Sequence, residues 1–181
     1  MKLTARYRER FVKTLKKQAG RAVGFQIDQI RLPDGKLAQR EFLTHPGAVG
    51  VLAFVKPNQI LLVKQYRHPI RDFTYEIPAG KLDQGENPLV CVKRELAEET
   101  GYRAKRVRKL LHFWPTAAFS DETIHLYIAE DLSPTDAHPD DDEYLEVVTV
   151  SPTQLEAMIR RGQIHDSKTL IAYLAWRLDL K

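Results

Sequence analysis

Between Ala79 and Gly101 the chain combines a glycine-bounded loop, an amphipathic helix and a crowd of acidic side chains, and few folds accommodate all three. Ala79-Gly80-Lys81-Leu82-Asp83-Gln84-Gly85 reads as a loop, and Asn87-Pro88 opens a helix after it. Asn at the N-cap can accept a hydrogen bond from the first turn. Pro at the first helical position gives up an N–H that would have no helical partner anyway. Gly101 is placed to stop the helix. Leu89, Val92 and Leu96 recur at three- and four-residue spacing, so one side is apolar and needs a core. Glu95, Glu98 and Glu99 stand at i, i+3 and i+4 and stack three carboxylates within one turn.

Strand-like runs on either side supply that core. Phe25 to Leu32 and Leu37 to Thr44 flank Pro33-Asp34-Gly35 and predict a hairpin. Ala48 to Val55 and Ile60 to Gln65 flank the turn residues Lys56-Pro57-Asn58-Gln59. Thr74 to Ile77 is a short strand ending at Pro78, and Val107 to Trp114, Thr123 to Ala129 and Tyr144 to Val150 follow as strands. Pro152 to Arg161 and Lys168 to Leu180 are expected as helices, which gives an α+β layout with helices packed on a mixed sheet. With 181 residues, 43% of them hydrophobic, and no low-complexity stretch or fixed-period repeat, the chain has the size of one domain with one core.

Several function classes drop out. Cys91 is the one cysteine, which excludes an internal disulfide framework, and the six histidines lack the spacing of a structural zinc site. No apolar run approaches the roughly 18 residues that span a bilayer, and the N-terminus has no uncharged signal-type core, so the protein is expected in the cytoplasm. The net charge of +4 would suit an anionic partner, but much of the excess lies between Lys2 and Arg21. Arg6, Arg8, Arg10, Lys13, Lys16 and Lys17 could touch nucleic acid, but a solvated, partly frayed arm is the simpler reading and the one expected. The Arg106, Val107, Arg108 alternation in a second basic cluster fits a strand with one wet face. Neither a membrane nor nucleic acid is expected as a partner.

Three like charges on one turn repel, so Arg94 or a divalent cation must offset them. Oxygen ligands without histidine or thiolate favour Mg²⁺, or Mn²⁺, over zinc, and Mg²⁺ commonly shares its shell between carboxylates and substrate phosphates. Taken alone, the glutamates fit a solvated, salt-bridged helix too, because Arg94 and Glu98 are an i, i+4 pair. The wider pattern decides between the two. It runs Gly80, five residues, Glu86, seven residues, Arg94-Glu95-Leu96, one residue, Glu98-Glu99, one residue, Gly101-Tyr102. Ordinary residue frequencies would produce it by accident in roughly one chain in 10⁷ of this size. In this pattern the sequence resembles the Nudix hydrolases.

The resemblance implies a Nudix fold, a mixed β-sheet sandwiched by helices with an N-terminal antiparallel strand region. It implies metal ligation by Glu95 and Glu99 with help from Glu98 and the Ala79 carbonyl. Glu86 would brace the loop, and Arg94 would orient the glutamates. Leu32-Pro33-Asp34-Gly35, Gln39-Arg40-Glu41-Phe42, His45-Pro46-Gly47-Ala48-Val49, Val63-Lys64-Gln65-Tyr66-Arg67 and Tyr75-Glu76-Ile77-Pro78-Ala79-Gly80 resemble the ADP-ribose and nucleoside diphosphate sugar pyrophosphatase branch. That branch places Arg67 at the substrate's phosphate or sugar end, Glu76 along the site and Arg40 in a cleft built by a homodimer. Read from the residues alone, Arg40 and Glu41 could equally be a polar strand edge. The expected division is residues 1–45 as basic arm, hairpin and dimerisation region, and 46–181 as the Nudix hydrolase domain.

The acidic stretch Ala137-His138-Pro139-Asp140-Asp141-Asp142-Glu143 resembles the branch's mobile catalytic loop, with Glu143 in the place of its glutamate and Asp141 as a weaker candidate. After the box, the substrate-side stretch containing Phe119 departs from the branch, because Ala117 and Ala118 stand where a proline and a glycine are common. The expected activity is Mg²⁺-dependent cleavage of nucleoside diphosphate sugars such as ADP-ribose or GDP-mannose to a nucleoside monophosphate and a sugar phosphate. The alternatives are a dinucleoside polyphosphate or RNA 5′-pyrophosphate hydrolase, and a nucleotide-sugar sensor without turnover.

Overall fold

Successive side chains of β4 (Ala48–Lys56) serve two different cores. Val49, Val51 and Ala53 pack with Cys91, Val92 and Leu96, whereas Leu52 and Phe54 pack with Leu155, Ala172 and Tyr173. Neighbouring positions on a strand face opposite sides, so a run apolar at every position needs cover on both. Helix α1 (Pro88–Thr100) covers one face; α2 (Pro152–Arg160) and α3 (Ser167–Arg177) cover the other. Burial of side chains such as Leu52, Leu62, Leu126 and Leu155, each fully enclosed, contributes about 1.5–3 kcal/mol apiece.

This computed structural model describes residues 6–138 and 144–180. The covered sheet has seven strands. Its path runs through β10 (Leu145–Val150), β5 (Gln59–Arg67), β4, β9 (Ile124–Pro134) and β8 (Tyr102–Phe113). Off that path, β6 (Asp72–Glu76) pairs with β5 and β7 (Ala79–Lys81) with β4. β4 is parallel to β9, from Ala48↔Ile124 to Ala53↔Ala129, and antiparallel to its other partners, which makes the sheet mixed. No helix among the described residues is long and apolar enough to cross a membrane.

The chain divides into two compact units, Met1–Pro46 with Thr116–Glu122, and Gly47–Pro115 with Thr123–Lys181. The second holds the covered sheet. The first holds a three-stranded antiparallel sheet of β1 (Arg10–Gln18), β2 (Gly24–Arg31) and β3 (Leu37–Thr44). β2 and β3 pair without slippage from Gly24↔Thr44 to Arg31↔Leu37, around a turn in which the Gly35 N–H donates to the Leu32 carbonyl at 2.9 Å.

Several elements differ from the sequence expectation, β9 among them, which runs on past Ala129 to Pro134. Arg10–Gln18 is not a frayed arm but strand β1, paired to β2 although all nine residues are exposed; its charges hide an extended run whose reason is the partner strand. Ala79–Lys81, expected as loop, pairs with β4 as β7. β8 begins at Tyr102 rather than Val107, because Arg103↔Ser133 and Arg106↔Glu130 extend its ladder with β9.

Candidate functional site

α1 begins and ends as its caps dictate. The Asn87 side chain accepts from the Leu89 N–H at 2.8 Å, and Gly101, at φ 69°, turns the chain away while its N–H donates to the Ala97 carbonyl at 3.0 Å. The buried stripe of Cys91, Val92 and Leu96 fixes the helix on the sheet, so its charged face has a set orientation.

Arg94 is the hub of that face. Its Nε and Nη2 donate to Glu86 Oε1 and Oε2 at 3.2 and 3.1 Å, and its Nη1 lies 2.8 Å from Glu98 Oε2 and 2.9 Å from Glu95 Oε1. Glu86 Oε2 also accepts from the Asp83 N–H at 3.1 Å, which ties the loop to the helix. The Arg94 hydrogen bonds and then the Asp83 N–H hold the Glu86 carboxyl at about 2, well below the ordinary range. Arg94 is pushed up, first by its hydrogen bond to Glu86, and remains charged at every relevant pH. One cation therefore offsets three carboxylates, two of which, Glu95 and Glu98, belong to the repelling trio read from the sequence.

Glu95 and Glu99 meet the preceding strand. The Ala79 N–H donates to Glu99 Oε2 at 3.0 Å, and Glu99 is 5% exposed. A Cβ placed on Gly80 would fall 1.9 Å from Glu95 Cδ, so this glycine is required by the close approach of a carboxylate rather than by its own dihedrals. Gly85 is the reverse case, with φ 78° and open space where a Cβ would stand. Cys91 is fully buried, and burial pushes its thiol up to about 12, so it serves packing and not nucleophilic chemistry.

The ligand set that the resemblance implies, the Ala79 carbonyl with the carboxylates of Glu95, Glu98 and Glu99, would offer only oxygens, which suit a hard divalent cation. The bare Gly80 lets the Glu95 carboxylate lie against the β7 backbone, in the space a side chain would take. Among the described residues, however, no three His, Cys, Asp or Glu side chains already stand as a metal-holding group. Glu95 and Glu98 are turned onto Arg94, and Glu99 onto the Ala79 N–H. The chemistry of the residues fits a cation, and rotation of these side chains away from Arg94 would be part of binding it.

A second charged network joins β5, β6 and α3. Arg67 grips Glu76 with both edges of its fork, Nε to Oε1 at 2.8 Å and Nη2 to Oε2 at 2.6 Å. Thr74 Oγ1 donates to Oε1 and Lys168 Nζ to Oε2. Burial alone would raise the Glu76 carboxyl, but the Arg67 hydrogen bonds and the Lys168 charge outweigh it and hold the group at about 2. Arg67 is raised, first by its bond to Glu76, and also feels the charges of Asp166 and Glu99. Lys168, Asp166 and Thr74 were not singled out in the sequence. Asp166 could have been read as the N-cap of the last helix, but nothing local links Lys168 to a carboxylate 92 residues earlier.

The structure thus brings together Glu86, Arg94, Glu95 and Glu98, joins Ala79 to Glu99, and joins Arg67 to Glu76. Arg40 and Phe119 belong to the other compact unit. There Arg40 pairs with Glu9, and Phe119 accepts from the Leu43 N–H at its carbonyl, 2.9 Å away. Ala117 and Ala118 lie in a turn closed by the Phe119 and Ser120 N–H groups on the Thr116 carbonyl at 3.2 and 3.1 Å, a conformation alanine adopts without strain. Glu143 and Asp141 lie outside the described residues.

The NUDIX domain family model matches residues 44–173. Over 97% of both chains the protein is 42% identical to the methanol dehydrogenase activator of Bacillus methanolicus, and over 93% of both it is 39% identical to the ADP-ribose pyrophosphatase of Bacillus subtilis. It is 34% identical to the GDP-mannose pyrophosphatase of Yersinia enterocolitica, over 73% of this chain and 74% of that one. The fold is shared with an ADP compounds hydrolase of known crystal structure, at a TM-score of 0.85 and 18% identity over 98% of this chain and 96% of the other. With the charged helix, its preceding strand and the sandwiching layers all in place, the chain belongs to the Nudix family, as a hydrolase related to the ADP-ribose and GDP-mannose pyrophosphatases.

Proposed function

We propose that the protein hydrolyses the pyrophosphate linkage of nucleoside diphosphate sugars, ADP-ribose and GDP-mannose among them, with Mg²⁺ or Mn²⁺ as cofactor. The observation that carries this reading is electrostatic. Arg67, anchored on Glu76 by both edges of its fork and 44% exposed, is an anion-receiving cation in the same compact unit as the carboxylates suited to a divalent metal. A substrate with two phosphoryl groups and a polar group at each end answers both. The full-length identity to an ADP-ribose pyrophosphatase supports the same class.

In this reading Glu95, Glu98, Glu99 and the Ala79 carbonyl would hold the metal, which supplies charge neutralisation of the pyrophosphate and a lowered pKa for bound water. Arg67 binds and orients a phosphate, and Arg94, held by Glu86, orients the glutamates by its charge-assisted hydrogen bonds. A water oxygen forms a bond to one phosphorus while that phosphorus loses its bridging oxygen, and Glu143 takes the water proton. The products are a nucleoside monophosphate and a sugar phosphate. Arg40 and Phe119 enter as substrate contacts supplied across a homodimer, with residues 1–45 as the dimerisation region and 46–181 as the hydrolase domain. The exposed β1, with Phe11 and Leu15 open along it, supports that role.

Incubation of the purified protein with Mg²⁺ and a panel of diphosphate sugars, dinucleoside polyphosphates and 5′-triphosphate RNA, with products identified, tests the proposal. Release of a nucleoside monophosphate from diphosphate sugars is expected. Hydrolysis of dinucleotides or RNA without hydrolysis of any diphosphate sugar would overturn it. The 42% identity to a methanol dehydrogenase activator favours a second reading, in which the protein also raises the rate of a dehydrogenase. Addition of the protein to a methanol dehydrogenase, with and without Mg²⁺, checks that reading, and an unchanged rate removes it.

A further inference from the structure

The carboxylate of Glu76 has no capacity left for a substrate. An ionised carboxylate offers about four lone-pair sites, and here they receive Arg67 Nε, Arg67 Nη2, Thr74 Oγ1 and Lys168 Nζ, with 3% of the side chain exposed. Whatever Glu76 does for binding, it does through the groups it holds. Of those, Arg67 is the one with a substantial exposed surface, and its Nη1 takes no part in the grip on Glu76. Lys168 is only 12% exposed and is held on both sides, by Glu76 and by Asp166 Oδ1 at 2.8 Å.

The placement of Lys168 is itself built. Asp166 caps α3, accepting from the Thr169 N–H at 2.9 Å. Thr169, fully buried, accepts at its Oγ1 from the Ile77 N–H at 2.8 Å. The first turn of α3 is therefore bonded to the end of β6 at two successive residues, Glu76 through Lys168 and Ile77 through Thr169. A flexible lysine stem pinned at both ends loses its rotamer freedom, and a buried ion network of this kind contributes little net stability compared with apolar packing of the same volume. What it does supply is geometry, since a carboxylate held from behind by one cation cannot swing outward with another.

We propose that Lys168 is a positioning residue for anion binding: by anchoring Glu76 to α3 it fixes the direction in which Arg67 presents its guanidinium to a substrate phosphate. The inference rests on the reading of Arg67 as a phosphate-binding residue. Its test uses Lys168→Met, Lys168→Arg, Arg67→Ala and the Lys168→Met/Arg67→Ala double variant. For each, kcat and KM are measured on a diphosphate sugar, calorimetric Kd on inorganic pyrophosphate, and melting temperature on the free protein.

We expect Lys168→Met to raise KM and the pyrophosphate Kd about tenfold with kcat within about threefold, and Lys168→Arg to recover most of that loss. The double variant should bind no worse than Arg67→Ala alone, because the lysine acts only through the arginine. A merely structural lysine would lower the melting temperature and the active fraction without moving KM or Kd. Unchanged KM and Kd in Lys168→Met, or losses that multiply in the double variant, would overturn the inference. Should Lys168→Met fail to fold, Lys168→Gln, which keeps a donor for Glu76, goes through the same cycle with the same criteria. Failure of the catalytic reading is distinguishable, since a wild type that cleaves no diphosphate sugar but binds pyrophosphate through Arg67 is still judged by the binding cycle. Absence of pyrophosphate binding in the wild type, or binding indifferent to Arg67→Ala, overturns the inference whatever the enzyme hydrolyses.

Discussion

Two arginines organise carboxylates in this molecule, and they do so differently. Arg94 serves Glu86, Glu95 and Glu98 on the charged face of α1, where the Glu98 side chain remains 37% exposed and those of Glu86 and Glu95 are 13% exposed. Arg67 serves Glu76, which is enclosed and filled by four donors from three elements. The first network is local in sequence and reaches a more exposed face, and gathering a cation there would require it to rearrange. The second joins distant segments and is fixed, as aiming a single cation at a substrate would demand. A site that must both collect metal and register phosphates has use for one network of each kind.

The largest way to break this contrast is at α1. Glu99→Gln should lower kcat by at least about a hundredfold while leaving the far-ultraviolet circular dichroism intact, since it removes charge where a cation would be held. Near-wild-type turnover would remove the catalytic meaning of the acidic face of α1.

The fixed network answers to stability and pH instead. Glu76 is held at about 2, below its ordinary 4.5, so its stabilising contribution is complete above about 4.5 and is lost as pH falls toward about 2. For this enclosed group the contribution is on the order of 3 kcal/mol. Chemical denaturation of Glu76→Gln should therefore show a deficit of that order at pH 7 that narrows as the pH drops through that window. A deficit independent of pH would mean the charge of Glu76 is not what matters.

Gly80→Ala and Gly85→Ala sharpen the comparison at smaller scale. A Cβ on Gly80 meets the Glu95 carboxylate, and kcat should fall about tenfold through displaced geometry. A Cβ on Gly85 meets nothing, but φ 78° strains it, so the melting temperature should fall, by about 1–3 kcal/mol in stability, with turnover retained. Equal effects of the two on turnover would contradict the close-approach argument. Smallest is Arg40→Ala in the N-terminal sheet, whose exposed pair with Glu9 should cost less than about 1 kcal/mol in a denaturation measurement, so any rise in KM would report a substrate contact.

The same contrast marks what could be read from the sequence. The caps Asn87 and Gly101, the Val92 and Leu96 part of the α1 stripe and the Arg94–Glu98 pair follow from spacing within one helix, and the structure has them; Leu89, expected in the same stripe, is instead 39% exposed, and the fully buried Cys91 takes its place on the core side. β4 and β5 were legible because continuous apolar runs demand cover on two faces. β1 was not, because its charges resemble those of a solvated arm and its pairing to β2 is not a local property. Gly80 reads in the sequence only as a loop glycine, since the carboxylate that crowds it comes from a helix residue 15 positions later in the chain. Lys168 and Thr169 were invisible for the same cause, each meeting its partner 92 residues away.

Direct titration of Mn²⁺, by paramagnetic resonance or calorimetry in the presence of inorganic pyrophosphate, tests the central claim without reliance on turnover. The wild type should bind the cation, and the Glu95→Gln/Glu98→Gln/Glu99→Gln variant should bind it at least about tenfold more weakly with its fold preserved. Equal affinity in the two proteins would mean that the acidic face of α1 is a salt-bridged surface and that the metal, if one is used, is held elsewhere.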